Sequence, residues 1–197
     1  MESSATKILE EEHHAIEKVI ACAAALADNP AEGPDQEVLG RIIRFMRDYV
    51  ENCHHEKEER ILFPLLVRKG VPVTGCPLGA LTHEHESGRK LVAQLTLAAD
   101  SPASAPRRRE SLLEALRGLV ALYPGHIWKE NFLLFPMTDK LLSAEEQKSL
   151  LERFEAVEER IGRENHHRLE ELADELRAAT QSKEGQSRLD RDFIRPR

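Results

Sequence analysis

The sequence predicts an all-α protein: an up-down four-helix bundle built from two pseudo-repeated helical hairpins, with an additional C-terminal helix. Three observations predict it. Apolar residues recur at spacings of three, four and seven, the period of helices with one buried face. Long β-branched alternating runs are absent and aromatic residues are only 5%, which leaves little from which to build strands. The chain also matches itself at eight positions centred on His and Glu when shifted by 72 residues.

The first helix is predicted from about Ser3 to Ala27, closed by Asp28-Asn29-Pro30. A loop at Glu32-Gly33-Pro34-Asp35 leads to a second helix from about Asp35 to Arg68, stopped at Lys69-Gly70 and loosened near its end by Pro64. A rigid connector from Gly70 to Pro77 precedes a third helix from about Leu78 to Ala99. After Ser101–Pro106, a fourth helix is expected from about Arg107 to Leu142, strained at Pro124 and Pro136. Ser143 with Glu146 three residues on is a capping box and opens a fifth helix reaching about Ala179. These readings divide the chain into a bundle over 1–142, a C-terminal helix over 143–180 and a flexible polar tail over 181–197.

Composition excludes several classes of function. At 197 residues, with 41% hydrophobic and 32% charged residues, the chain can bury a sizeable core and is not of disordered type. A net charge of −7 argues against nucleic acid as a partner. The longest apolar run, Val19 to Ala27, falls far short of the roughly 20 residues a bilayer span needs, so no membrane role is expected. The N-terminus carries no basic and apolar leader pattern, and Cys22, Cys53 and Cys76 form no C-x-x-C motif. A cytoplasmic, reducing location is the expectation.

Nine histidines are the unusual feature. Under the shift of 72, Glu12-His13 falls on Glu84-His85, His54 on His126, Lys57-Glu58 on Lys129-Glu130, and Leu62-Phe63-Pro64 on Leu134-Phe135-Pro136. The two hairpins are therefore copies of one unit. The predicted apolar stripes run through Leu9, His13, Ile16 and Ile20; Ile43, Val50, His54, Glu58, Ile61 and Leu65; Leu78, Leu81, His85, Val92 and Leu95; and Leu112, Leu119, His126, Glu130, Leu133 and Met137. Four imidazoles and two carboxylates thus share one apolar layer. A buried carboxylate without a counter-charge is very costly, and a dinuclear metal centre supplies the cation. His-x-x-x-Glu at i, i+4 puts both groups on one face, the two Glu as bridges and the His as outer caps. A mixed imidazole and carboxylate set suits iron best, with manganese or zinc as substitutes.

These residues resemble the hemerythrin-like (HHE cation-binding) family. The resemblance rests on Glu12-His13-His14-Ala15-Ile16, on Cys53 through Pro64, on His83 through Arg89 and on His126 through Pro136. It implies a four-helix bundle with an oxo- or hydroxo-bridged di-iron site, and His13, His54, Glu58, His85, His126 and Glu130 as the metal ligands. The ligand it implies is small: O2, NO or peroxide, to be sensed, bound or detoxified. Alternatives are a di-iron oxidase or peroxidase acting on a small substrate, and an iron-binding or storage protein. One departure stands out. Oxygen-carrying members place two His one turn apart on the third helix, but Leu81 and Arg89 flank His85 at that spacing. A fifth ligand among His14, His55, His83 and His167 stays open; His14 and His55 are expected on the surface or behind the ligands, and His166-His167 on a solvated face. A ferritin-type site is disfavoured, because Thr82 and Tyr123 stand where repeated Glu-x-x-His motifs need carboxylates. Glu59 is expected to brace a ligand His or to form a surface ion pair, Tyr123 to pack, and Cys53 to be inert.

Overall fold

The structure, a computed structural model, describes residues 4–28 and 35–179. The predicted loop residues 32–34 and the predicted tail over 181–197 lie outside the described residues. Every regular element among the described residues is helical, in six helices. Helix α1 is Ala5–Asp28, α2 is residues 36–68, and α3 is Leu78–Asp100. Helix α4 is residues 108–141, α5 is Ala144–Ile161 and α6 is Arg163–Ala179. Helices α1 to α4 are the bundle. None of the helices is long and apolar enough to cross a membrane.

The starts follow local chemistry. The Asp35 carboxylate accepts the Glu37 N–H at 2.8 Å and caps α2. The capping box forms as predicted: Glu146 N–H donates to Ser143 Oγ at 3.3 Å and Ser143 N–H to the Glu146 carboxylate at 2.9 Å. The ends of α2 and α4 hold a repeated irregularity. Pro64 and Pro136 have no N–H to close an α-turn. Phe63 N–H instead bonds Glu58 O, and Phe135 N–H bonds Glu130 O, both five residues back. Glu58–Leu62 and Glu130–Leu134 are thus π-turns, and Met46–His55 is a longer one. Each adds a residue and rotates the remainder of its helix. Leu134 and Thr138 are buried, while Leu133, predicted on the buried stripe, is 40% exposed and Met137 only half-buried. Pro124 is accommodated without ending α4.

The single C-terminal helix expected from the sequence is two. Gly162 adopts φ 92°, a conformation that L side chains rarely take, and its N–H closes α5 onto Glu158 O and Glu159 O. The helix breaks there but the chain keeps its direction, so α5 and α6 follow one another along the α1/α2 hairpin: Gln147 lies by Ala5, Glu158 by Lys57, and Asp174 by Lys18. Leu150, Phe154 and Val157 of α5 join one apolar cluster with Leu9, Leu62, Leu81 and Leu134. Leu169, Ala173 and Leu176 of α6 join the other, with Ile16, Ile20, Phe45 and Leu119. Between the two clusters runs a thin polar layer. At about 25 cal/mol per Å² of apolar surface removed from water, the two clusters hold the helices around that layer.

Candidate metal centre

The polar layer gathers the predicted residues. His13, His54, His85 and His126 are at most 3% exposed, and Glu58 and Glu130 are fully buried. A seventh side chain, His55, joins them at 3% exposure. They fall into two adjoining groups with donor atoms close enough to share an ion: His13, His54, Glu58 and Glu130, and then His55, His85 and His126.

Hydrogen bonds from behind fix each imidazole. His54 Nδ1 donates to Glu12 Oε2 at 2.9 Å, and its counterpart His126 Nδ1 donates to Glu84 at 3.1 Å. His13 Nδ1 donates to Asn131 Oδ1 at 2.7 Å, and its counterpart His85 donates to Glu59 at 2.6 Å. Asn131 and Glu59 are themselves 72 residues apart, so the support repeats with the hairpin. His55 Nδ1 donates to Glu51 at 3.0 Å, one turn away on its own helix. With every Nδ1 held by an oxygen acceptor, each Nε2 is aimed inward, the arrangement that orients ligating histidines. Two stacked rings close the sides: Phe135 on His13 at 5.5 Å and Phe63 on His85 at 5.8 Å, again repeat-related.

The inward atoms are crowded and unanswered. His13 Nε2 lies 3.1 Å from His54 Nε2 and 3.0 Å from Glu130 Oε2. The other Glu130 oxygen lies 3.3 Å from His126 Nε2 and 3.6 Å from His85 Nε2, and Glu58 Oε2 lies between His54 and His85 at 3.7 and 3.4 Å. Both carboxylates therefore stand between the two groups. Nε2 of His55, His85 and His126 and all four oxygens of Glu58 and Glu130 are buried with no hydrogen-bond partner. Buried polar atoms are almost always satisfied, and seven converging exceptions fit a cation set.

The electrostatics agree. Burial pushes His13 and His85 toward the neutral form, but Glu130, with Glu58 beside it, outweighs this and raises both. Burial likewise opposes ionisation of Glu130, yet His126, His13 and His85 hold it well below the ordinary carboxylate range. His55 is driven well down by burial and by His85, His54 and His126, so it stays a neutral donor.

Behind His54 the two copies diverge. Lys57 is fully buried, with Nζ donating to Glu12 at 2.5 Å and to Glu158 of α5 at 2.6 Å. Its counterpart Lys129 donates to Glu84 at 2.6 Å but is a quarter exposed, because none of the described helices covers it as α5 covers Lys57. His166 of α6 adds a contact to Glu12 at 3.5 Å. Cys53, predicted inert, is buried against Glu12, and burial pushes its thiol up to about 12.

His14, His83 and His167 are exposed and stand outside the cluster. The fifth imidazole comes from α2, as His55, rather than from the third helix. α-helical periodicity turns His55 about 100° away from His54, whereas the π-turn over Met46–His55 brings both inside. Glu12, Glu84 and Lys57 were already visible as identities in the repeat. Their support role needed the fold. Glu59 takes both roles expected of it: it accepts from His85 and pairs with Arg89 at 2.5 Å.

A four-helix bundle with a histidine and carboxylate cage at mid-height defines a metal-binding helical protein. Residues 4–138 match the family described as Hemerythrin HHE cation binding domain, and the chain belongs to that family. Among known proteins it is similar to an uncharacterized protein of Mycobacterium tuberculosis, with a counterpart in Mycobacterium bovis, at 26% identity over 137 residues. That match covers 68% of this chain and 51% of the relative, so the chain spans about half the length of those relatives. It is also similar to the iron-sulfur cluster repair protein YtfE of Pectobacterium carotovorum, at 34% identity over 86 residues, covering 42% of this chain and 39% of that one. No solved structure matches.

Proposed function

We propose that the protein is a non-haem di-iron protein that binds or reacts with O2, NO or peroxide, in oxygen or redox sensing or in detoxification. The observation that carries the reading is the set of buried, unpartnered Nε2 and carboxylate oxygen atoms facing one another across the polar layer. On this reading His13 and His54 would hold one ion and His55, His85 and His126 the other, with Glu58 and Glu130 available to both. An all-imidazole and carboxylate set suits iron, with manganese or zinc as substitutes. The metal pair supplies redox chemistry toward small oxygen and nitrogen species. The protein's part is to fix geometry: Glu12, Glu84, Glu59, Asn131 and Glu51 hold the imidazole tautomers and ring angles. Phe63 and Phe135, with the apolar clusters above and below, keep bulk water out.

Metal analysis and an optical spectrum of the loaded protein test this. About two irons per chain, with near-ultraviolet ligand-to-metal bands that respond to NO, O2 or H2O2, are expected. A folded chain that takes up no metal from ferrous solution would overturn it. A second reading, service to iron–sulfur clusters, is favoured by the likeness to YtfE. It requires that the loaded protein restore the activity of a damaged cluster enzyme in vitro, which a sensor or binder of small gases does not do.

A further inference from the structure

The repeat supplies an internal control on packing. The α4/α1 interface is the counterpart of the α2/α3 interface. At the first, Ile16, Ile20, Leu119 and Ile127 are all buried and close the seam. Their counterparts at the second, 72 residues on or back, are Gly88, Val92, Arg47 and His55. Two large apolar side chains have become a glycine and a histidine, and a third has become an exposed arginine. The seam opens there into a cavity of about 450 Å³, lined almost wholly by carbon and including Met46, Val50, Val92 and Tyr123. Gly88 keeps its inner end free: a Cβ there would meet the Tyr123 hydroxyl at 3.4 Å, and a full isoleucine would occupy the space.

Size and shape select the occupant. A diatomic gas needs little more room than a water molecule, whose share of liquid volume is about 30 Å³, whereas this volume is that of sites for small organic ligands. Along α3 the lining runs from Gly88 to Leu97, about 14 Å of helix rise, the length of a straight chain of about ten carbons. Its inner end is His55. The polar groups there are already engaged, Arg89 with Glu51 at 2.6 Å and with Glu59, and Glu51 with His55, so that end offers no free charge. At the outer end Arg47 is exposed and takes part in no ion pair among the described residues, beside Leu97, which is 71% exposed.

We propose that this cavity is a binding site for a free medium-chain carboxylic acid. Its carboxylate pairs with Arg47 at the mouth, and its alkyl chain lies along Met46, Val50 and Val92 with the far end against His55 and Tyr123. This deepens the di-iron reading, on which it rests for what lies behind His55, by giving the centre an organic ligand beside its small one.

Titration calorimetry of the iron-loaded full chain with decanoate, below its micelle concentration, tests the site. Saturable binding at one per chain is expected, with decylamine at least about ten-fold weaker because its cation faces Arg47. Gly88→Ile, which restores the residue of the other repeat, and Val92→Phe should each abolish binding with iron content unchanged. Arg47→Glu, on the surface and safe for folding, should weaken decanoate about ten-fold and favour decylamine. No binding, equal binding of the two amphiphiles, or binding unchanged in the two filled variants overturns the site. So does a chain that pairs with a second copy across this seam and excludes decanoate. The metal-free chain separates the two readings. Decanoate binding without any iron uptake sinks the di-iron centre and leaves the cavity standing, whereas normal iron bands with no decanoate binding do the reverse.

Discussion

The rings of His55 and His85 stack with centroids 3.8 Å apart and planes inclined by 18°, and neither inward nitrogen has a partner. Two imidazoles held face to face in this way aim adjacent Nε2 atoms at one point. Across the layer His13 and His54 meet edge to face at 4.8 Å. The two ends of the layer are thus built differently, with three imidazoles at one and two at the other.

His55→Ile installs the residue of the other repeat, Ile127. Iron content should fall from about two to about one per chain, with His13 and His54 retaining theirs. Metal analysis beside circular dichroism measures it; content unchanged from wild type would place His55 outside the ligand set.

Glu58→Gln should have opposite effects in the two metal states. Without metal, both Glu58 oxygens are buried with no hydrogen-bond partner, and replacing the acid by its amide should raise stability by about 1–3 kcal/mol. With iron the variant should lose most of its metal and melt below the wild type. Thermal denaturation of both forms reads the crossing, and a variant that melts lower in both states would argue for a purely structural acid.

Lys57→Met takes away the ammonium of a buried pair and leaves Glu12 only His54 and His166, and should cost about 3 kcal/mol or more. Lys129→Met breaks the repeat-related pair at a partly exposed place, and should cost less than about 1 kcal/mol. Urea denaturation of the full chain compares them. Equal losses would mean that α5 does not cover Lys57 in solution.

His166 gives a pH dependence to α6. The Glu12 carboxylate, 3.5 Å from its ring, raises it above the ordinary histidine value, against the pull of burial. A raised value means that the contribution is fully present below about pH 6.5 and is lost as pH rises through the folded-state value. Amide exchange in Arg163–Ala179, corrected for intrinsic rates, should show stronger protection at pH 6 than above that value, and His166→Gln should flatten the difference.

Most of the architecture could be read from the chain because the repeat is carried by residues that cost stability when buried. Histidine and glutamate on an apolar stripe have few explanations, so His13, His54, Glu58, His85, His126 and Glu130 stood out and the structure brings all six together. Helix pitch escaped. Proline at 64 and 136 suggested strain, yet periodicity at 3.6 residues per turn cannot show that the strain is released as a wider turn. That error misplaced Leu133 and hid His55 behind its neighbour. The break at Gly162 escaped for a related reason: the charged pattern of a surface helix is the same on both sides of it. The cover that α5 and α6 place on one hairpin is a tertiary fact, and only it separates Lys57 from Lys129.

The exchange of isoleucine for histidine between positions 127 and 55 has a consequence for spectroscopy. A perfectly duplicated hairpin would give its two ions identical surroundings and a single signal. On the proposed ligation the two surroundings would differ in imidazole number, so the iron-57 Mössbauer spectrum of the loaded protein should resolve into two quadrupole doublets of equal area, one for each half of an incompletely mirrored molecule.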